Sequence, residues 1–260
     1  MATDLTREHD GQKFVAGFAR GLAVIEAFGP GHRSLSVAEV ASMTGLDRAV
    51  ARRLLLTLVE LGFATVDKKQ FELTSNVLRL GFTYLASLGL DSTLQPHLDK
   101  LSGDVGEAVS VSVLSGVEVI FVARSEAPGS SIAYVIKAGL KLPAFSSSSG
   151  RVLLSATTDE EVANLLQKTK IDARTPKTVT DRKQILDIIR KTRERGYATN
   201  DQELELDLFG ISVPIKNRAG RVVASLNVNS QARRINAKRI SDILLPAMRD
   251  SARAISGVLL

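Results

Sequence analysis

Residues 35–61 read LSVAEVASMTGLDRAVARRLLLTLVEL and carry the densest local signals in the chain. Ser36 stands three residues before Glu39, at the head of an apolar run. That spacing is a capping box: the hydroxyl accepts from the third helical N–H, and the carboxylate reaches back to the cap. The helix it opens carries Val37, Val40 and Ala41 and ends at Thr44-Gly45, where glycine supplies the backbone freedom of a tight turn. A second helix starts near Asp47, a carboxylate suited to a positive helix start, and runs to Leu61 before Gly62. Two helices joined through a short glycine turn predict a helix-turn-helix.

The faces of the second helix can be sorted at 100° per residue. Val50, Leu54, Leu58 and Leu61 fall within about 80° of one another and form the expected core stripe. Arg48 and Arg52 lie roughly opposite on consecutive turns, with Ala49 beside them and Arg53 on the flank. Arg can bridge guanine O6 and N7 or clamp phosphate, and Ala49 leaves room for a thymine methyl. An arginine face is also ordinary solvated helix surface. The turn, the capping box and a basic hairpin just downstream favour DNA. That hairpin is Phe63–Val66 and Phe71–Thr74 around a polar turn, with Lys68 and Lys69 at its tip.

Outward from this core, Val15, Phe18, Leu22, Ile25 and Ala27 recur at helical spacing before Gly29-Pro30-Gly31. The first twelve residues read as a polar mobile arm without the apolar segment of a secretory signal. Residues 75–89 carry Val77, Leu78, Leu80, Leu85 and Leu88 and read as a linker helix. The expected division is therefore an arm (1–12), a winged helix-turn-helix (13–74), a linker helix (75–90) and a second domain (91–260).

The chain has 260 residues, 44% hydrophobic and 24% charged. That balance excludes a disordered chain, and no apolar run reaches the ~20 residues of a membrane-spanning helix. Cysteine is absent, which removes disulfides, thiolate catalysis and Cys-ligated metal sites and fits a cytoplasmic protein. The net charge is +6, split as 10 basic against 9 acidic residues over 1–80 and 24 against 19 thereafter. No basic tail exists, so nucleic-acid contact rests on local placement of Arg and Lys.

The second domain reads as α+β. A short helix over 94–101 precedes Ala108–Val113, which alternates strictly and predicts a strand with one buried face. A second strand covers 117–122 and a third 132–137. Helices follow near 147–156, 159–168 and 181–195, then strands near 209–216 and 221–229 and a final helix over 236–259. Hairpin-paired strands around a block of helices predict an antiparallel sheet covered by helices.

Two clusters in this domain suggest a small-molecule site. Ser146–Ser149 and Gly150 bring hydroxyls and backbone N–H groups to a helix start, a carboxylate-binding arrangement in kind, and Arg151 adds a cation. The alternative is an N-cap with spare serines. Asn227 and Asn229 alternate with Leu226 and Val228, so both amides face one way and either bind a ligand or form an exposed polar face. Asp201, Glu203, Glu205 and Asp207 also alternate. On an extended stretch they share a face that attracts a metal or simply guards a strand edge.

An enzyme reading needs a serine of 146–149 as nucleophile, His97 as base and Asp201 as orienting acid. No Gly-x-Ser-x-Gly elbow, Walker-A sequence or His-x-x-x-His pair supports it. No catalytic group, cofactor or metal is expected.

The stretch from Phe14 to Gly62, with TGLDRAVARRLLLTL at its centre, resembles the DNA-binding domain of IclR-family transcriptional regulators. The likeness continues through LPAFSSSSGRVLLSA and RERGYATNDQELELDLFGISVPIKNRAGRVVASLNV. It is narrowest with the subgroup that regulates β-ketoadipate and aromatic-acid catabolism (PcaR/PobR-like). The resemblance implies a winged helix-turn-helix joined to a GAF-like effector domain, working as a dimer or dimer of dimers on double-stranded operator DNA. It implies DNA contact by Ser36, Asp47, Arg48, Ala49, Arg52, Arg53, Lys68 and Lys69. It also implies a small aromatic-acid-related carboxylate bound by Ser147, Ser148, Ser149, Asp201, Gly210, Asn227 and Asn229. The chain departs from the subgroup at Asp207-Leu208-Phe209-Gly210, where relatives carry Gly-Leu-Arg-Ser. A sensor module that binds a partner instead of DNA is the alternative.

Overall fold

In the computed structural model the described residues are 14–29, 31–87, 94–126 and 139–258. The expected arm (1–12) and the expected strand over 132–137 lie outside them. The chain separates into two compact units, Met1–Tyr84 and Leu85–Leu260.

The first unit runs α1 (Ala16–Glu26), β1 (Ser34–Ser36), α2 (Val37–Thr44), α3 (Arg48–Glu60), β2 (Ala64–Asp67) and β3 (Gln70–Leu73). A 3-10 turn (Ser75–Val77) leads into α4 (Leu78–Ser87), and the boundary between the units falls inside that helix. The capping box forms as expected: Glu39 N donates to Ser36 Oγ, and Ser36 N donates to Glu39 Oε2 at 2.7 Å. Gly45 closes α2 at φ 68°, a left-handed conformation that costs glycine little. Lys68 and Lys69 both adopt positive φ, 46° and 72°, the signature of a type I′ hairpin turn. The three strands pair antiparallel in the order β1-β3-β2.

The core stripe of α3 differs from the expectation. Ala51, Leu55 and Leu58 are buried, whereas Leu61 is 61% exposed and Val50 and Leu54 are only partly covered. The buried centre is rotated by about 70° from the expected one, at 100° per residue. The reason is surplus: RRLLLTLVEL offers more apolar positions than one core can cover. The small Ala51 faces the core cluster of Val24, Leu35, Val40, Ala41, Ala64 and Phe71. Leu54 and Leu61 instead face a groove lined by Phe18, Leu22, Ile25 and Leu80.

The second unit contains α5 (Leu94–Val105), β4 (Ala108–Ser115), β5 (Glu118–Ser125), β6 (Lys141–Pro143), α6 (Ser148–Leu154), α7 (Asp159–Lys168) and α8 (Arg182–Arg195). It continues with β7 (Ala198–Asp201), β8 (Leu208–Lys216), β9 (Val222–Gln231), α9 (Ala237–Arg239), a π-helical turn (Ile240–Leu244) and α10 (Leu245–Val258). The six strands form one antiparallel sheet in the order β6-β5-β4-β9-β8-β7.

Alternation in β4 does not separate core from solvent: Ala108–Val113 is buried on both faces. Val109, Val111 and Val113 join Ile211, Val213, Leu226 and Val228 against α5 and α10. Ser110 and Ser112 face the other way, toward the side covered by α6. A helix on each side explains why a strict period of two coexists with full burial. A second cluster, including Phe121, Phe145, Leu154, Val162 and Ile185, packs α6, α7 and α8 beside β5 and β6.

The acidic run after residue 200 is not an extended edge. Asp201 ends β7 and residues 202–207 turn, with Gln202 and Asp207 at positive φ, 65° and 62°. The four carboxylates therefore share no face, and among the described residues no three metal-ligating side chains converge. Glu203 is buried, and its carboxylate grips Arg151 through two hydrogen bonds of 2.6 and 2.8 Å. Arg151, 2% exposed, also donates to the carbonyls of Phe145 and Thr199. It is a neutralised structural cation, not a ligand for an anion.

Candidate DNA-binding face and sensor cavity

The capped N-terminus of α3 fixes the exposed face of that helix. Asp47 Oδ1 accepts from Ala49 N at 2.7 Å, so this carboxylate works as the helix cap. Ser36 is likewise engaged within its own capping box, donating from Oγ to Glu39 Oε2 at 2.7 Å. These hydrogen bonds hold the Glu39 carboxyl below its ordinary value. Arg48, Ala49, Arg52 and Arg53 are all exposed. Among the described residues none of these three arginines enters an ion pair, so their guanidinium groups are uncommitted. With the buried stripe where it is, Ala49 and Arg53 stand most nearly opposite the core, and Arg48 and Arg52 occupy one flank. Lys68 and Lys69 are exposed at the tip of the wing. One cation of this unit escaped the sequence reading: Arg33, which precedes the three-residue β1 and lies 3.7 Å from Glu72.

In the second unit, a cavity opens between α6 and the strands. Ser147, Ser148, Ser149, Gly210, Asn227 and Asn229 line it together. Antiparallel pairing explains the convergence. Asn229 faces Gly210, which faces Asn200; Ser110 faces Asn227, which faces Ser212. These two cross-strand rows place small polar residues side by side on the face that α6 covers. Helix and sheet meet closely at two glycines. A Cβ on Gly150 would overlap the Ala144 backbone, and a Cβ on Gly210 would lie 2.9 Å from Ser148 Oγ.

The hydroxyls and amides form one connected network. Asn227 Nδ2 donates to Ser148 Oγ and to Ser212 Oγ, each at 2.9 Å. Ser212 Oγ donates to Ser148 Oγ at 2.9 Å and lies 3.2 Å from Ser149 Oγ. Asn229 Nδ2 donates to Asn227 Oδ1, which also accepts from Ser110 Oγ at 3.5 Å. Ser147 caps α6 by accepting from Gly150 N at 3.1 Å.

Asp201 stays apart from this cluster: it is exposed and pairs with Lys177 at 3.6 Å. Its neighbour Asn200 lines the cavity instead, tied to the Ser146 carbonyl. Leu204, Leu208, Phe121 and Leu142 supply the apolar wall and were missed from sequence. The inward turn of Tyr197-Ala-Thr-Asn200 was the available signal, a short alternation just past the helix-ending Gly196. His97 sits on α5, which packs against the valine face of the sheet, while Ser148 lies on the opposite face. The serine–histidine pair that hydrolysis requires is therefore not assembled. Arg124 faces Ser110 across the strands and so shares the serine side of the sheet. Its Nε is buried without a hydrogen-bond partner.

Comparison with known proteins finds relatives over nearly the whole chain. The family profile described as "IclR helix-turn-helix domain" matches residues 18–68, and "Bacterial transcriptional regulator IclR C-terminal" matches residues 82–257. The Pca regulon regulatory protein of Pseudomonas putida is 38% identical, with 94% of this chain and 85% of that protein covered. The p-hydroxybenzoate hydroxylase transcriptional activator of Acinetobacter baylyi is 36% identical, covering 94% of this chain and 92% of its own. Among solved structures, a transcriptional regulator from Rhodococcus sp. RHA1 matches with TM-score 0.81 at 40% identity, covering 95% of this chain and 98% of that one. An IclR homolog from Microbacterium hydrocarbonoxydans, complexed with 4-hydroxybenzoate, shares the fold with TM-score 0.82 at 23% identity, covering 93% and 98%.

Proposed function

The chain belongs to the IclR family of DNA-binding transcriptional regulators and is not an enzyme, and from that premise we propose which residues perform its two tasks. Arg48, Ala49, Arg52 and Arg53 read or position operator DNA, with Lys68 and Lys69 gripping backbone beside the groove. The uncommitted guanidinium groups on the exposed face of α3 carry this reading. Ser36 and Asp47 contribute by fixing the starts of the two motif helices.

Ser147, Ser148, Ser149, Gly210, Asn227 and Asn229 hold the effector, a small aromatic carboxylic acid, whereas Asp201 is left outside the site. The named relatives that regulate Pca and p-hydroxybenzoate genes support this chemical class. The protein acts in the cytoplasm as a dimer or dimer of dimers on a palindromic operator. Recognition helices then stand roughly 34–36 Å apart, or a multiple of that spacing. The apolar groove of Phe18, Leu22, Leu54, Leu61 and Leu80, left open by the described residues, supports self-association. Bound effector favours one arrangement of the segment around α4, and so one spacing of the DNA-binding units. It shifts that balance only by its affinity difference between the two arrangements.

Thermal unfolding with and without 4-hydroxybenzoate tests the sensor half. Stabilisation that disappears in the Ser148→Ala/Asn227→Ala protein, with DNA binding intact, supports the assignment. Loss of folding in that double variant would make the network purely structural.

A further inference from the structure

Resting on the self-association reading above, we propose that the turn over 202–207 and the adjoining 3-10 turn Ala232–Arg234 form a second docking surface, in the sheet-based unit. Its occupant is the same surface of another copy of this chain, met through a two-fold contact.

The turn divides its side chains between two sides. Glu203 is buried on Arg151 and Leu204 lines the cavity, whereas Glu205, Leu206 and Asp207 are exposed. Among the described residues Leu206, 59% exposed, is the most exposed large hydrophobic side chain of the second unit. One exposed leucine alone is ordinary surface. This one stands on a backbone held from several sides. Gln202 N donates to the Leu208 carbonyl at 2.8 Å, and Asp207 N donates to Gln202 Oε1 at 3.1 Å. The hydroxyls of Thr175 and Thr178 donate to the carbonyls of Gln202 and Glu203 at 2.7 and 2.6 Å. Gln202 and Asp207 keep left-handed conformations, which residues other than glycine hold only where their surroundings fix them. A turn fixed in this way loses little freedom when it docks.

The charges around Leu206 are of both signs and are not spent on each other. Ala232 N donates to the Asp207 carbonyl at 2.7 Å, so the 3-10 turn lies against the end of the acidic turn. Arg233 N lies 3.5 Å from Asp207 Oδ1, yet the Arg233 guanidinium turns to Gln231 Oε1, at 3.0 and 3.2 Å. Among the described residues Glu205, Asp207 and Arg233 enter no ion pair. Arg234 shares the single buried carboxylate of Glu107 with Arg239, which leaves a further excess of positive charge beside Arg233. A surface of one sign would call for a different partner. Acidic and basic groups side by side fit their own two-fold image instead. Rotation about an axis beside Leu206 sets Arg233 against the partner's Glu205 and Asp207, and the reverse, with a leucine from each copy between them.

Sedimentation equilibrium of the full-length protein at low salt tests the surface, with folding of each variant checked by its melting curve. Leu206→Glu and Glu205→Arg are each expected to raise the dissociation constant of the assembly about tenfold or more. The double variant Glu205→Arg/Arg233→Glu exchanges the signs and is expected to return to within about threefold of the unmodified protein. Leu61→Glu, in the groove of the first unit, reads the other contact separately. Unchanged association of both Leu206→Glu and Glu205→Arg overturns the proposal, and if Leu61→Glu alone disrupts assembly the self-association reading stands without it. A double variant no stronger than Glu205→Arg also overturns it. An unmodified protein that sediments as a single chain overturns the self-association reading, and this surface with it.

Discussion

Arg52 and Arg53 are adjacent in sequence yet separated by 100° around α3, and that angle divides their tasks. Arg53 stands most directly opposite the buried Ala51 and Leu58, while Arg52 stands on the flank that also holds Arg48. Replacing either with alanine is expected to weaken specific operator binding by ~1–3 kcal/mol. A residue that reads a base also relaxes selectivity at one operator position, whereas a phosphate contact lowers affinity for all sequences alike. Fluorescence anisotropy with single-base operator variants separates the two. Buried Arg151 presents the opposite case. Glu203→Gln leaves a buried guanidinium without its counter-charge and is expected to cost about 3–5 kcal/mol of unfolding free energy in urea titration. That role was illegible in sequence because the partner lies 52 residues away on a turn. Arg48, Arg52 and Arg53 were legible because their exposure follows from one helix alone.

Among the elements, those closed by local hydrogen bonds could be read and those created by distant packing could not. The capping box at Ser36/Glu39 forms as its spacing implies, and a second box, Thr158 with Glu161, opens α7. Ser36→Ala is expected to destabilise the first unit by ~1 kcal/mol, measurable as a lower melting temperature of the helix-turn-helix. The short strands β1, β6 and β7, of three, three and four residues, carried too little periodicity to register. The valine–serine alternation of β4 correctly gave a strand. Its burial on both faces depended on α6 arriving from elsewhere in the chain.

Asp159, at the start of α7, offers a pH test at this scale. Hydrogen bonds from Arg190 and Arg193 on α8 hold its carboxyl below the ordinary 3.8. A carboxyl lowered by folding contributes stability that is present above the unfolded value and lost as pH falls through the folded one. Unfolding at a series of pH values should therefore show the unmodified protein losing more stability than Asp159→Asn between about pH 5 and pH 2. Parallel curves would remove Asp159 from the account.

At the scale of the whole molecule, two separately legible units become a switch only if their equilibria are coupled. The helix-turn-helix and the sheet-based domain were each readable from sequence, because each closes its own core. The spacing of two DNA-binding units and its response to effector depend on a second copy of the chain and were not readable. The most direct test of the central claim is a gel shift at fixed salt with the DNA upstream of the protein's own reading frame. The unmodified protein is compared with the Arg48→Ala/Arg52→Ala/Arg53→Ala variant, and folding is checked by circular dichroism. A discrete complex on that DNA, absent from a scrambled duplex and lost in the folded triple variant, is the predicted result. An equal shift by both proteins, or none by the unmodified one, would contradict the assignment of α3 as the DNA-reading helix.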